Sequence, residues 1–337
     1  MQVAASSGIN KKNMVLNNFF KSVIRWTNVI ALPFFRMLFY NSICKFYIIV
    51  FGKKDRRIMK YRVSLCLIFK DEAPFLKEWI DYHLAIGVDH FYLYDNNSTD
   101  NFREIIIPYI DKGIITLIDW PEQNSQFKCY KHCYDTFRNE SNWISFLDAD
   151  EFICPKKKNN VNDWLRQFDK YHAVNIHWLM FCTGGVLKHD YSKNVIEQYY
   201  SSWTDFWSHG KCLINTRYDI ANYHTWWVHH HTYMFRRIFG VRMVVPAVNQ
   251  FGYICTIDKT WGGGKNKREN ASIQINHYFT KGWDIWSNKM KKTDVLYAKN
   301  PKSDINYFYK YEERCTSRDY TIQRFFIRMK ILQGLIQ

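Results

Sequence analysis

Apolar residues are arranged first at helical spacing and then in short continuous runs. Between Phe19 and Phe51 they recur three and four positions apart, which is the pattern of amphipathic helices, and Pro33 suits a break between two of them. Between Arg62 and Phe69 the apolar run is nearly continuous, as in a strand buried on both faces of a parallel sheet. The pattern therefore predicts surface helices followed by an α/β domain.

Strands and helices alternate after Phe69. The pattern predicts, in order, a helix from Phe75 that Gly87 closes, strands over 90–94 and 114–119, a helix over 126–138 and a strand over 143–147. This alternation predicts an α/β fold with a mostly parallel sheet flanked by helices. We assign this domain to residues 61–295, between an N-terminal segment, 1–60, and a basic helical tail, 296–337.

The N-terminal helices combine apolar and basic side chains. Arg36 and Lys45 interrupt the stretch 28–51 where the core of a bilayer would lie. We therefore favour helices that lie in the membrane interface, while a single span and simple packing on the domain stay open as alternatives. No short apolar run near the start is followed by a small-residue cleavage site, so we expect no secretory signal.

The net charge of +16 is concentrated at one end. Residues 1–62 contain twelve Lys and Arg but Asp55 as the single acid, whereas the rest of the chain is nearly balanced. A basic end on a balanced body favours docking of the N-terminus to an anionic membrane surface, at its cytoplasmic face. We expect no nucleic-acid partner, although nucleic acid is the second choice.

Composition restricts the class of protein and its compartment. An aromatic content of 18% over 337 residues excludes a disordered chain and indicates a substantial core. The nine cysteines are odd in number and contain no CxxC pair. They favour free thiols over a disulfide framework, and therefore an intracellular location.

Acidic residues follow three of the predicted strands. They are Asp71 and Glu72 after the first, Asp95 at the end of the second, and Asp148 and Asp150 after the fourth. Ligands of open α/β sheets bind at the carboxyl ends of the strands. Two carboxylates two positions apart are close enough to share a divalent cation, and alternation would place them on one face if the strand continued. We therefore expect Mg²⁺ or Mn²⁺ bridged to a substrate diphosphate.

Five stretches occur in order along the chain. They are KDEAPFLKEWIDYH at 70–83, GVDHFYLYDNNSTD at 87–100, FLDADEF at 146–152, WLMFCTGG at 178–185 and INHYFTK at 275–281. Together they resemble the glycosyltransferase family 2 and family 92 group, which has the GT-A fold, a DxD motif and a C-terminal His-Tyr-x-x-Lys signature. The resemblance covers roughly residues 62–292.

The resemblance implies a metal-dependent glycosyltransferase that uses a nucleotide-sugar donor, most simply a UDP-sugar. Asp148 and Asp150 would be the DxD pair that holds Mn²⁺ or Mg²⁺ against the donor diphosphate. His277 would supply another metal ligand, and Lys281 would reach the diphosphate oxygens.

The same resemblance places further residues around the donor. Asp95 and Asn97 would contact the uracil or the ribose, although Asn96 and Asn97 depart from the family's Asp-Gly pattern. The residues placed around the donor are Asp71, Glu72, Asp95, Asn97, Gln126 and Lys128. For Gln126 and Lys128, a plain helix start is an equal alternative.

The base and the acceptor site are left open. We expect inversion at the anomeric carbon, which needs a general base, and Glu197, Asp205 and Asp219 are the candidates. The acceptor would be a glycan or a lipid-linked sugar in cell-surface polysaccharide synthesis. Five aromatic residues could stack on it or could equally belong to the core: Trp203, Phe206, Trp207, Trp226 and Trp227.

Two further motifs do not indicate a zinc site or a P-loop. Three consecutive histidines, His229–His231, cannot all face one zinc ion. Gly262–Lys265 lacks the residues of a P-loop and is predicted to be a flexible loop.

Two other classes of function stay open as alternatives. One is a non-catalytic module that binds nucleic acid or an acidic polymer. The other is a metal-dependent phosphohydrolase that uses the same carboxylates.

Overall fold

The computed structural model describes Phe35 and residues 38–221, 233–254, 267–291 and 300–336. Several sequence features therefore lie outside the described residues: Pro33, Trp226, Trp227, His229–His231 and Gly262–Lys265.

Helices and strands alternate through most of this part of the chain. The helices are α1 (Lys45–Phe51, preceded by a π-helical turn, Phe39–Cys44), α2 (Ala73–Ala85), α3 (Phe102–Ile110), α4 (Gln126–Phe137), α5 (Val161–Leu165), α6 (Val195–Gln198), α7 (Trp283–Lys291), α8 (Ile305–Glu312) and α9 (Phe326–Leu332). The strands are β1 (Tyr61–Phe69), β2 (His90–Asp95), β3 (Ile115–Asp119), β4 (Ser141–Phe146), β5 (Glu151–Pro155), β6 (Ala173–Met180), β7 (Ser201–Ser202), β8 (Gly210–Asn215), β9 (Tyr233–Ile238), β10 (Val241–Pro246), β11 (Val248–Asn249), β12 (Ile273–His277) and β13 (Ser317–Arg318).

The central sheet has the order β3-β2-β1-β4-β8-β6-β12-β5, with β11 added beside β6. Neighbours from β3 to β4 are parallel, as are β6 and β12, whereas β8 and β5 run antiparallel to the strands beside them. Two small antiparallel pairs, β9 with β10 and β7 with β13, lie outside this sheet. The predicted α/β fold with a mostly parallel sheet is confirmed.

The predicted elements agree with the observed ones to within a few residues. The observed end of β4 has one consequence for the two carboxylates that follow it. β4 ends at Phe146, and Asp148 and Asp150 lie in the turn between β4 and β5. The expectation that strand alternation aligns their side chains therefore does not apply, and the turn sets their directions separately.

The sheet is buried on both faces, as the continuous apolar run of β1 predicts. Leu65 and Leu67 belong to a large core cluster that also contains Trp79 of α2, whereas Cys66 belongs to a second cluster with Tyr130 of α4. Alternate side chains of a strand point to opposite faces, so β1 joins both cores. This burial fixes the position of its carboxyl end.

One pair of cysteines corrects the expectation of free thiols. Cys182, after β6, and Cys315, after α8, form a disulfide with their Cα atoms 6.3 Å apart. They are separated by 133 positions in the sequence, so spacing alone could not indicate that they meet. The other described cysteines are buried and form no disulfide among the residues that the structure describes: Cys44, Cys66, Cys129, Cys133, Cys154 and Cys212.

The segments at both ends of the described chain pack on the sheet domain. Ile48 of α1 and Met329 of α9 are fully buried in the large core cluster. Among the helices that the structure describes, none is both long enough and apolar enough to cross a bilayer.

Candidate active site

Charged side chains from distant segments meet at the carboxyl edge of the sheet, which we define as the edge where β1 to β4 end. β5 and β8 run antiparallel and therefore begin there; Glu151 is the first residue of β5, and Lys211 is the second residue of β8. β12 ends there at His277, which is paired in register with Glu151. The backbone N–H of Tyr278 donates to the Asp150 carbonyl over 2.8 Å, which ties the end of β12 to the turn after β4.

Asp148 is held by three donors. One carboxylate oxygen accepts from Gln126 Nε2 at 3.1 Å and from the Tyr130 hydroxyl at 3.2 Å, both on α4. The other oxygen lies 3.1 Å from Lys211 Nζ, which is completely buried. Since 30% of the Asp148 side chain is exposed, it can still contact a ligand at this edge.

Asp150 faces a different set of partners. One oxygen lies 2.9 Å from Lys289 Nζ of α7, and the other lies 3.4 Å from His277 Nε2. Burial alone would raise the pKa of Asp150, but the charge of Lys289 and the contact with His277 hold it well below its ordinary value. Asp150 is therefore ionised. Lys289 was not anticipated from the sequence, because a lysine at a helix end resembles any solvated lysine.

Glu151 is a third carboxylate that the sequence analysis did not assign to the site. Its side chain is completely buried, and Oε2 accepts from the Asp148 N–H at 3.0 Å and lies 3.3 Å from Lys211 Nζ. Burial raises the pKa of Glu151 well above its usual value, and the neighbouring Asp148 charge adds to this, while Lys211 acts in the opposite direction. The only available signal was its position directly after the Asp148–Asp150 motif.

The predicted three-ligand metal set is not assembled in this structure. Across the described ranges, no three His, Cys, Asp or Glu side chains are grouped so that they could hold a metal ion. Asp148 points to Lys211 and Gln126, whereas Asp150 and His277 adjoin each other. Asp150 and His277 still offer one carboxylate oxygen, the donor type that suits Mg²⁺ and Mn²⁺, and one imidazole nitrogen, a donor typical of transition metals.

Lys281 lies in the loop after β12. It is 2% exposed, has a φ of +52°, and its Nζ lies 3.5 Å from the centroid of the Phe75 ring. Burial lowers the pKa of Lys281, and the negative charges of Glu72 and Asp150 oppose that shift. The structure therefore brings Lys281 to the same edge as Asp150, and the charge of each residue acts on the pKa of the other.

The acids after β1 and β2 build a loop together. Asp71 Oδ1 accepts from the Thr99 N–H at 2.7 Å, and Asp95 Oδ1 accepts from the Ser98 N–H at 2.8 Å. Asn97 is exposed, with a φ of +58°, and its Nδ2 donates to the Pro121 carbonyl at 3.1 Å. These side chains fix the path of residues 95–100 at the carboxyl edge.

Gln126 and Lys128 differ in where their side chains lie. Gln126 is buried and faces Asp148, and its Oε1 has no hydrogen-bond partner within the described ranges. Lys128 is exposed and forms an ion pair with Glu122. Two positions on a helix differ by roughly 200° in direction, so only Gln126 faces the carboxyl edge.

The three candidate bases lie in different surroundings. Glu197 caps α6, where Oε2 accepts from the Asn194 N–H at 2.8 Å. Asp219 follows β8, and therefore lies at the opposite edge of the sheet, 2.9 Å from Arg138. Asp205 is exposed and lines a cavity of about 500 Å³ together with Thr204.

The described aromatic candidates divide between core and surface. Trp203 is buried, stacks on Trp207 with ring centroids 5.3 Å apart, and donates from its indole N–H to the Tyr311 carbonyl at 2.9 Å. Phe206 and Trp207 are half-buried, and Trp207 lies 6.2 Å from Trp178. Trp203 is thus part of the core, while Phe206 and Trp207 retain accessible surface.

Comparisons with known proteins identify what the chain resembles. The sequence model of glycosyltransferase family 92 matches residues 60–315. A family 92 protein of Oryza sativa subsp. japonica is 33% identical over 116 residues, which is 34% of this chain and 20% of that protein. The galactan β-1,4-galactosyltransferase GALS2 of Arabidopsis thaliana is 29% identical over 134 residues, which is 36% of this chain and 26% of that protein.

Among solved structures, S. aureus TarS (residues 1–349) in complex with UDP aligns with a TM-score of 0.30 and 14% identity, covering 38% of each chain. The matched region spans about a fifth to a quarter of the length of the two curated relatives.

Proposed function

The chain belongs to glycosyltransferase family 92, and from that membership we propose that it transfers a sugar from a UDP-sugar to a glycan or lipid-linked acceptor in cell-surface polysaccharide synthesis. The observation that carries this proposal is the meeting of Asp148, Asp150, Lys211 and His277 at the carboxyl edge. Similarity to a galactosyltransferase supports a hexose as the transferred sugar.

The charges of the site suit a diphosphate. Lys281 and Lys289 approach Asp150, so the edge offers positive charge beside a carboxylate. A donor diphosphate bound there would interact with both ammonium groups, which would stabilise the negative charge that develops on the leaving nucleotide. Gln126 and Tyr130 hold Asp148 in place, so its free surface would be preorganised for the donor.

The residues at this edge also fit a divalent cation. Asp150 and His277 would hold Mn²⁺ or Mg²⁺, and the bound ion would neutralise charge on the diphosphate. Two buried atoms, Nδ1 of His277 and Oε1 of Glu151, find no hydrogen-bond partner among the described residues, which supports a site that changes its contacts when it is loaded. Asp148 would be the further carboxylate, as the resemblance implies.

We propose an inverting reaction whose general base stays open among the three candidates. Glu197 is used in capping α6, and Asp219 lies at the edge opposite to the site. The cavity that Asp205 lines is also bordered by Lys156 after β5 and Arg268 before β12, which flank that opposite edge. Exchange of the base for its amide is expected to lower kcat while UDP binding stays unchanged, because the base acts on the acceptor hydroxyl.

Calorimetric titration of UDP tests the donor site. We expect UDP to bind in the presence of Mn²⁺, to lose affinity in EDTA, and to bind roughly tenfold or more weakly to Asp150→Asn and to His277→Gln. Asp219→Asn is the matched control, since it removes a carboxylate at the opposite edge and should bind like the wild type. A folded protein that binds no UDP under any of these conditions would contradict the proposal.

Product analysis separates transfer from hydrolysis. With a UDP-sugar and an acceptor glycan, a transferase releases UDP and forms an extended glycan. A phosphohydrolase would release nucleotide without any sugar on the acceptor, and that result would refute the transferase proposal.

A further inference from the structure

Exposed apolar side chains are concentrated on two adjoining segments that the proposed reaction does not use. The first is the helical segment 38–51, where Phe46 is 59% exposed and Phe51 is 58% exposed. The second is the β9–β10 hairpin, where Phe239 and Val241 are each 61% exposed. We call these side chains, with their exposed apolar neighbours, the apolar face; its members are Leu38, Ile43, Phe46, Ile49, Val50, Phe51, Phe239 and Val241.

Direct contacts join the helix to the hairpin. The rings of Tyr47 and Phe239 lie 4.7 Å apart, and the Tyr40 hydroxyl donates to the Val244 carbonyl at 3.1 Å. Cys44 and Ile48 are buried on the other side of the helical segment, which fixes its rotation. The two segments therefore adjoin, and their exposed apolar side chains are clustered. Clustered exposed apolar side chains mark an interaction site more often than scattered ones do.

The tip of the hairpin has an unusual residue for its backbone conformation. Ile238 pairs with Val241, so Phe239 and Gly240 form a two-residue turn, with φ values of +49° and +80°. Asn or Gly is usual at the first position, because a bulky side chain is disfavoured at positive φ. Because this backbone conformation is unfavourable for phenylalanine, we interpret the exposed ring at the tip as a contact site for a partner.

The charges around the apolar face indicate that its partner is negatively charged. Exposed Lys53, Lys54 and Arg56 follow the helix, and exposed Arg237 and Arg242 flank the hairpin turn. Residues 38–60 and 233–246 contain one acid, Asp55, which is buried and paired with Arg57. An apolar centre with a basic rim is complementary to a bilayer with anionic headgroups.

We infer that the apolar face docks onto an anionic lipid bilayer, with Phe46 and Phe239 among the headgroups and the basic rim in contact with lipid phosphates. The hairpin is the part of this surface that the N-terminal sequence pattern could not indicate. Its strand β10 leads to Pro246, whose carbonyl lies 2.8 Å from His172 Nε2, just before β6 begins. The docking surface therefore lies toward the edge opposite to Asp148.

This position has a consequence for the acceptor. β6 has eight residues and so separates the two edges by roughly 26 Å. A sugar next to a lipid headgroup would lie far from Asp148, whereas the distal end of a longer glycan chain could reach it.

Vesicle flotation of the full chain tests the docking surface. We expect binding to phosphatidylcholine vesicles that contain 30% phosphatidylglycerol, and much weaker binding to phosphatidylcholine alone or in high salt. Phe46→Ser/Phe239→Ser should lower the partition coefficient at least tenfold, and Arg237→Gln/Arg242→Gln should lower it and weaken its salt dependence. The control, Ile107→Ser, changes a side chain on α3 that is 49% exposed and should bind like the wild type.

Three outcomes would overturn the inference. One is unchanged vesicle binding by the Phe46→Ser/Phe239→Ser variant with native near-UV circular dichroism. The second is loss of binding in Lys11→Gln/Lys12→Gln/Lys21→Gln/Arg25→Gln while the double Phe variant still binds, which would assign docking to residues 1–34. The third is a lipid-free dimer in sedimentation that the double Phe variant abolishes, which would make the apolar face an interface between two copies.

Discussion

Glu151 and His277 form a buried pair behind Asp150. Glu151 Oε1 lies 4.0 Å from His277 Nδ1, and both atoms are buried with no hydrogen-bond partner in the part of the chain that the structure describes. Unsatisfied buried polar atoms are rare and costly, so a small approach that joins them would be favourable. A carboxylate on Nδ1 would orient the imidazole and make Nε2 a better donor to a cation.

His83 is the residue for which we predict a pH effect on stability. Its Nδ1 donates to the Trp79 carbonyl at 2.8 Å, and its Nε2 accepts from the Ile153 N–H at 3.3 Å, so the neutral ring uses both nitrogens. Burial lowers the pKa of His83 from 6.5 to about 3. As the pH falls from 6.5 towards 3, the unfolded chain takes up a proton that the native state does not, and stability is lost.

The matching measurement is urea unfolding at pH 7 and pH 5. His83→Gln should be less stable at pH 7, by about 1–3 kcal/mol, because one of the two hydrogen bonds is lost. It should also lose less stability on acidification than the wild type does, by roughly 2 kcal/mol. Equal losses in the two proteins would show that His83 does not titrate in this way.

Among the helices and strands, α8 holds two loops of the carboxyl edge together. Glu312 accepts from the Thr183 N–H at 3.0 Å and the Thr183 hydroxyl at 2.7 Å, in the loop after β6. It also accepts from the Thr280 hydroxyl at 2.9 Å, next to Lys281 in the loop after β12. One carboxylate therefore sets the relative position of two loops from distant strands.

Glu312→Ala is expected to weaken UDP binding by roughly three- to tenfold, since an ion pair or buried hydrogen bond of this kind contributes about 1 kcal/mol. The cause would be a loosened loop around Lys281. Glu313→Ala is the matched control, because the neighbouring Glu313 is exposed. If both variants bound UDP equally in a calorimetric titration, Glu312 would have no positioning role.

At the scale of the whole molecule, the C-terminal segment is tied to the sheet by the Cys182–Cys315 disulfide. The bond closes a loop of 133 positions, and closing a long loop restricts the unfolded chain more than closing a short one. Cys182 follows β6 and Cys315 follows α8, close to the contacts of Glu312. The bond and the Glu312 contacts therefore hold the same region of the molecule.

Reduction should lower the stability of the wild type by ~2–5 kcal/mol. Thermal unfolding with and without a phosphine reductant measures this effect. Cys315→Ser should unfold at the temperature of the reduced wild type and should not respond to the reductant. A wild type that is insensitive to reductant, or whose Cys182 and Cys315 are both alkylated before reduction, would contradict the Cys182–Cys315 bond.

Local sequence determined the elements and the edge at which the acids lie. The apolar run of β1, the helical spacing of α2 and the acids after β1, β2 and β4 depend on neighbours within a few positions, so they can be recognised in the chain itself. Asp95 and Asp148 were expected at the carboxyl edge because parallel strands share that edge.

Tertiary structure decided which side chains meet. Lys211 and Lys289 come from strands and helices 63 and 139 positions away from the carboxylates they contact, and the disulfide and the hairpin next to α1 also join distant segments. A single lysine or cysteine carries no signal of its partner, because that choice depends on the packing of the whole sheet. Neighbouring residues in the chain specify the strands, the helices and the acidic edge, while the packing of distant segments brings Lys211 and Lys289 to that edge.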